Sequence, residues 1–259
     1  MIGSAGVMAI VLAQTVAGSV ALVLLTPLWN EVKPGFFTLT GFVVAVLAIP
    51  AWWSAHVGLV PGDQAGLWAV RSAALTAVLS VLWVALMLLK RRGAARLLAL
   101  AAVPTSIATL AALAGTARQD AGVALFQVLA GAAFLGAVLD GLLLGHWYLT
   151  DRGLSRAPID RATNILIGAV ILEAAAVVSA GFGGVGAAEQ FNPLLGAGGL
   201  ASWIALGMVG TTGLIAVMVR LTLRGERASA VQSATGFFYL AVVTAFTAEV
   251  AVKVRFLPG

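Results

Sequence analysis

Eight stretches of about 20 apolar residues, each closed by charged or helix-breaking residues, leave this chain few ways to fold. None alternates apolar and polar residues with a period of two, so they do not read as barrel strands. A helix rises 1.5 Å per residue, and about 20 residues therefore cross the roughly 30 Å hydrocarbon layer of a bilayer. Lipid offers no hydrogen bonds to the backbone, so each run must satisfy its own amides by coiling into an α-helix. Composition excludes the soluble alternative. The 259 residues are 61% hydrophobic and 10% charged, whereas a soluble domain carries roughly 25% charged residues. The expected fold is all-α, a single polytopic membrane bundle of about eight transmembrane helices over 1–259.

Flanking residues place the spans at Ser4 to Trp29, Phe36 to Trp53, Leu67 to Leu89, Leu97 to Leu113, Val123 to Tyr148, Ile165 to Phe182, Ser202 to Leu221 and Val231 to Val252. The fourth is the shortest and holds Pro104, which makes it the candidate for a kink. The first run lacks a basic leader, so it is expected to be a retained span and not a cleaved signal. With eight spans, one side receives Lys33, Lys90, Arg91, Arg92, Arg96, Arg152, Arg156, Arg161, Arg220, Arg224 and Arg227. The other receives Arg71, Arg118, Lys253 and Arg255. The positive-inside rule then puts both termini of this multi-pass chain outside. The longest external connection is expected at Gly183 to Gly199. Gly141, Gly145, Gly207, Gly210 and Gly213 are small enough to let helices approach closely.

The net charge of +5 comes from short clusters between apolar runs. Such clusters orient membrane helices and meet lipid headgroups, so no nucleic-acid partner is implied. The chain has no cysteine, which excludes disulfides, cysteine-held zinc and iron–sulfur clusters. Its two histidines, His56 and His146, fall near opposite faces of the membrane and cannot hold one haem between them. No metal site and no redox centre of its own are expected.

An ionisable side chain in hydrocarbon costs about 2.5–3.5 kcal/mol on insertion scales, so each one calls for a reason. Asp140 and Glu173 lie in consecutive antiparallel spans, each about ten residues from their shared loop, hence roughly 15 Å deep. At a common level they would form a carboxyl pair able to share a proton, with His146 as a relay from the near face. The structural alternatives are a protonated carboxyl bonded to a neighbouring helix, and a histidine seated in the aromatic belt beside Trp147 and Tyr148. Glu249 and Lys253 have the i,i+4 spacing of a helical ion pair. Arg71 either snorkels outward or meets an acid of another helix. For these last three a structural role is expected.

Gln14-Thr-Val-Ala-Gly18 in the first span, with Trp53-Ser-Ala-His-Val-Gly58 and Pro61 at the end of the second, resembles the start of dimethyl sulfoxide reductase membrane anchors. These belong to the NrfD-like group, which includes the polysulfide reductase membrane subunit. The likeness covers about the first quarter of the chain and extends to eight helices with both termini outside. The resemblance implies a quinone-interacting subunit of a respiratory or electron-transfer oxidoreductase. Its cofactor would be menaquinone or ubiquinone, and an iron–sulfur subunit would dock on the outer face. His56 stands at the family's quinone-proximal histidine, with Trp52, Trp53 and Arg71 beside it. A small proton- or cation-coupled transporter and a non-catalytic structural subunit are the alternatives, and no inverted repeat supports the transporter.

Overall fold

The computed structural model describes residues 3–117, 119–151, 153–179, 181–182, 199–225 and 229–254. They form α1 (Gly3–Leu25), a short α2 (Leu28–Glu31), α3 (Pro34–Val57), α4 (Gln64–Leu88), α5 (Arg92–Ala114), α6 (Ala121–Thr150), α7 (Ala157–Ser179), α8 (Leu200–Leu223) and α9 (Ser229–Lys253). All but α2 are long and apolar enough to cross a membrane, and no strand occurs among the described residues. Every expected span is present. The expected connection at 183–199 falls almost wholly outside the described residues, as do Arg118, Arg152, Arg227 and Arg255.

Local chemistry sets the helix ends. Asp63 caps α4 by accepting from Gly66 N, and Asp120 caps α6 by accepting from Gly122 N and Val123 N. Pro34 opens α3, where a missing N–H costs nothing. Within the spans, hydroxyls of Thr15, Thr163 and Thr235 donate to carbonyls four residues earlier, so these polar groups need no partner helix. Pro104 stands inside α5 and does not end it, and Pro50 does the same in α3.

The eight spans pack as two rings of four. In one, α1 touches α3, α3 touches α4, α4 touches α5, and α5 returns to α1. In the other, α6, α7, α8 and α9 close in the same order. The rings meet mainly where α1 lies along α6, and α1 is the most enclosed span of the molecule.

At the centre of that seam Gly18 and Gly136 put two backbones in contact. A Cβ on Gly18 would overlap the Ala132 carbonyl, and one on Gly136 would overlap the Gly18 backbone. Gly141 and Gly145 serve α9 in the same way, lying against Phe238 and Thr235. The expectation fails for Gly207 and Gly210, which have open space beside them.

The two membrane faces differ in charge. The face with the chain ends, here the terminal face, exposes Arg71 among its described residues. The opposite, basic face carries Lys33, Lys90, Arg91, Arg92, Arg96, Arg156, Arg161, Arg220 and Arg224. Among the described residues three ion pairs tie its helix ends together: Lys33–Asp151 at 2.9 Å, Arg161–Glu31 at 2.9 Å and Arg220–Asp160 at 3.2 Å. Lys253, assigned by sequence to the terminal surface, is instead fully buried.

Candidate functional site

Ionisable side chains gather in the terminal half of the second ring. On α9, Lys253 Nζ lies 3.1 Å from Glu249 Oε2, one helical turn away, and neither side chain is exposed. Glu173 comes in from α7 and lies within electrostatic reach of both Glu249 and Lys253. Two glutamines complete the group. Gln14 of α1 donates through Nε2 to the Val128 carbonyl at 3.2 Å and, more weakly, to the Gln127 carbonyl at 3.4 Å. The same Gln127 carbonyl accepts from Lys253 Nζ at 3.3 Å, and the Gln127 side chain accepts from Gln119 at 2.7 Å.

Gly131 makes room for the cluster. A Cβ there would overlap Gln14 Nε2 and come within 2.6 Å and 2.7 Å of the two Glu249 oxygens. The carboxyl therefore rests against bare α6 backbone. Neither Glu173 oxygen has a hydrogen-bond partner among the described residues. The Glu249 oxygens, one of them in ion-pair contact with Lys253, likewise have no hydrogen-bond partner among the described residues.

Charge counting limits what this group can hold. One ammonium neutralises one carboxylate, and a second uncompensated carboxylate in a fully buried site would cost several kcal/mol. The neutral arrangement therefore carries one proton distributed over Glu173 and Glu249. Such a site can release and retake a proton, or exchange it for a small cation.

Asp140 occupies a separate place. It is 6% exposed, on the α1-facing side of α6, and its Oδ1 accepts from the Ser19 hydroxyl. The expected pairing of Asp140 with Glu173 is not what the structure shows. Asp140 stands ten residues before the end of α6, about 15 Å from the basic face, whereas Glu173 stands sixteen residues into α7, about 24 Å from its start. The cause is that α7 begins at Ala157 and not near Ile165. Pro158 suits a first helical turn, Asp160 favours the positive end of the helix dipole, and both extend the helix into a polar interface.

His146 is exposed on α6 and no contact joins it to Asp140, from which six residues turn it well around the helix. His56, Trp53 and Arg71 also stand on the outside of the bundle. Trp53 is 58% exposed, its ring centroid is 6.0 Å from that of His56 and 6.2 Å from that of the half-buried Trp52, and Arg71 lies 5.7 Å over Trp68. The first two contacts lie at the terminal end of α3 and the third at the terminal end of α4. The i,i+4 spacing of Glu249 and Lys253 did point to the pair that forms.

Gln14 and Gln127 were not recognised as site residues. Their signal was available, since each is a lone amide inside an otherwise apolar run. Among the described residues no group of histidine, aspartate and glutamate is arranged to hold a metal ion.

Comparison with family models, curated proteins and solved structures finds no match. The site must speak for itself.

Proposed function

We propose that this chain transfers protons within the membrane, with Glu173, Glu249 and Lys253 as the exchange site. The observation that supports this reading is a fully buried Lys253–Glu249 ion pair on α9, with a second buried carboxyl, Glu173 of α7, within electrostatic reach of both. A purely structural role is better served by apolar side chains of similar volume, which often match or exceed a buried ion pair in stability. Intramembrane ionisable groups that are kept despite that cost mark ion and proton pathways. Glu249 supplies the carboxylate that Lys253 holds, Glu173 supplies the partner for the shared proton, and the Gln127 backbone carbonyl accepts from the Lys253 ammonium.

Proteoliposomes carrying the purified chain and an enclosed pH-sensitive dye test the reading under an imposed potential. Wild-type protein should acidify or alkalinise the lumen faster than empty liposomes. E173Q and E249Q should each slow this by about tenfold or more, the usual scale for losing one acid–base group. Flux that survives both substitutions would remove the site from the path.

The second reading is a quinone-interacting anchor of an electron-transfer oxidoreductase in a bacterial-type cell membrane. His56 beside Trp53 favours it, because an exposed edge at the end of a span is open to a headgroup that arrives through lipid. Menaquinone or ubiquinone would meet His56, Trp52, Trp53 and Arg71, and an iron–sulfur subunit would sit on the terminal face. A photoreactive quinone should then crosslink near His56, and the chain should copurify with a cysteine-rich polypeptide. Uniform crosslinking along all lipid-facing spans would argue against it.

A further inference from the structure

A cavity of about 20 Å³ adjoins Asp140 on the basic side. Asp140, Leu144, Leu22, Thr26, Pro158 and Arg161 are among its walls. Space of 10–15 Å³ holds one water, and a water needs at least two polar partners to stay. The wall is mostly apolar, and the residues of its lining that carry polar groups are Asp140, Thr26 and Arg161. Asp140 Oδ2 is buried without a hydrogen-bond partner among the described residues, while Oδ1 is held by Ser19.

The two ends of this space are unlike. Toward the terminal face, the Gly18–Gly136 contact brings α1 and α6 backbone to backbone one turn beyond Asp140, leaving no width for water along that seam. Toward the basic face, the cavity runs along α6 from Ala137 past Asp140 to Leu144 and meets the first turns of α7 at Pro158 and Arg161. There Arg161 is fixed by two hydrogen bonds to Glu31, at 2.9 Å and 3.0 Å, each partner about one-third exposed. Glu31 ends the short α2, so this pair ties the α1–α3 connection to the start of α7, where Arg161 lines the cavity.

We propose that this cavity is a proton-loading site, in which water entering from the basic face protonates Asp140 and the Arg161–Glu31 pair closes the mouth. One bond forms and one breaks: a hydronium ion that enters from the basic face gives its proton to Asp140 Oδ2 and is left as water, and the carboxylate becomes the neutral acid. Ser19 holds the other oxygen so that Oδ2 faces the water. Asp140 is thus served from one side of the membrane, while the Glu173–Glu249–Lys253 site lies beyond the glycine contact on the other. The inference deepens the proton-transfer reading and rests on it for its purpose, but accessibility can be measured without any flux.

A water-soluble, membrane-impermeant carbodiimide with an amine nucleophile, followed by mass spectrometry, reads access to Asp140 in sealed vesicles of either orientation. Labelling of the wild type should be slow, and faster from the basic face than from the terminal face. R161A should raise the basic-face rate about fivefold, the order expected when an exposed ion pair is removed. E31Q should do the same and covers the case in which R161A does not fold. R161K should stay near wild type, and D140N should abolish the labelled peptide. Unchanged rates in both R161A and E31Q, or faster labelling from the terminal face, would overturn the proposal. Loss of flux with this labelling pattern intact would count against the proposed function and leave the loading site standing.

Discussion

Lys253 and Glu249 face each other at 3.1 Å, one turn apart on α9, and neither exposes its side chain. Glu173 makes this pair a triad with more carboxyls than ammonium groups. K253M removes the ammonium that faces Glu249 and should destabilise the folded protein by about 3–5 kcal/mol, the scale for breaking a buried pair. Adding E249Q to K253M should recover most of that loss, because no charge is then stranded. Thermal unfolding in detergent, run as a double-mutant cycle, measures both. Additive losses would show that the two side chains do not act as a unit.

Gly131 is the floor on which the Glu249 carboxyl rests. In G131A the new methyl group would meet both the Gln14 amide and the two Glu249 oxygens. Overpacking of this kind costs about 1–3 kcal/mol, so the fold should survive with a lowered melting temperature. Proton flux should fall further than stability does, because the carboxyl must move away from Lys253 or Glu173. Dye-reported flux compared with melting temperature separates the two effects. A parallel change in an α8 glycine such as Gly210, which has open space beside it, should leave both near wild type.

The architecture was legible because hydropathy alone decides where a chain can cross lipid. The length and polarity of each run fixed all eight spans to within a few residues at most ends. The exception at Ala157 shows the limit. Residues 157–164 are polar enough to read as a loop, yet they form a helical entry that lies at an interface, and this shift moves Glu173 a further 12 Å or so along α7. The site was less legible for a related reason. Glu249 and Lys253 sit near a helix end, and sequence cannot tell an end that reaches water from one enclosed by neighbouring helices. Gln14 and Gln127 come from spans 113 residues apart, and only packing of α1 on α6 brings them together.

The Gly18–Gly136 contact joins the two rings and separates the two acidic sites. G18A and G136A should each weaken the seam, since in both cases the added carbon would meet backbone and not the tip of a mobile side chain. A cost of about 1–3 kcal/mol is expected if the helices move apart to accept it. Separation would also open a route for water between Asp140 and the terminal half. These variants should therefore show faster carbodiimide labelling of Asp140 from the terminal face. Ordinary labelling with lowered stability would mean that the seam has only a structural duty.

At the basic face, hydrogen bonding to Arg161 holds the Glu31 carboxyl below its ordinary value of 4.5. A carboxyl with a lowered value in the folded state adds stability above 4.5, and that stability is lost as the pH falls through the lowered value. Lys33 and Asp151 lie nearby, but Arg161 is the partner that bonds it directly. Both partners are partly solvated, so the gain is at most about 1 kcal/mol and shrinks in salt. Melting temperature should therefore decline on acidification below 4.5 by a small increment that R161Q and E31Q abolish. At neutral pH those variants should lie slightly below wild type, and the three curves should converge at the acid end. Curves that stay parallel across the whole range would show that the pair adds no pH-linked stability.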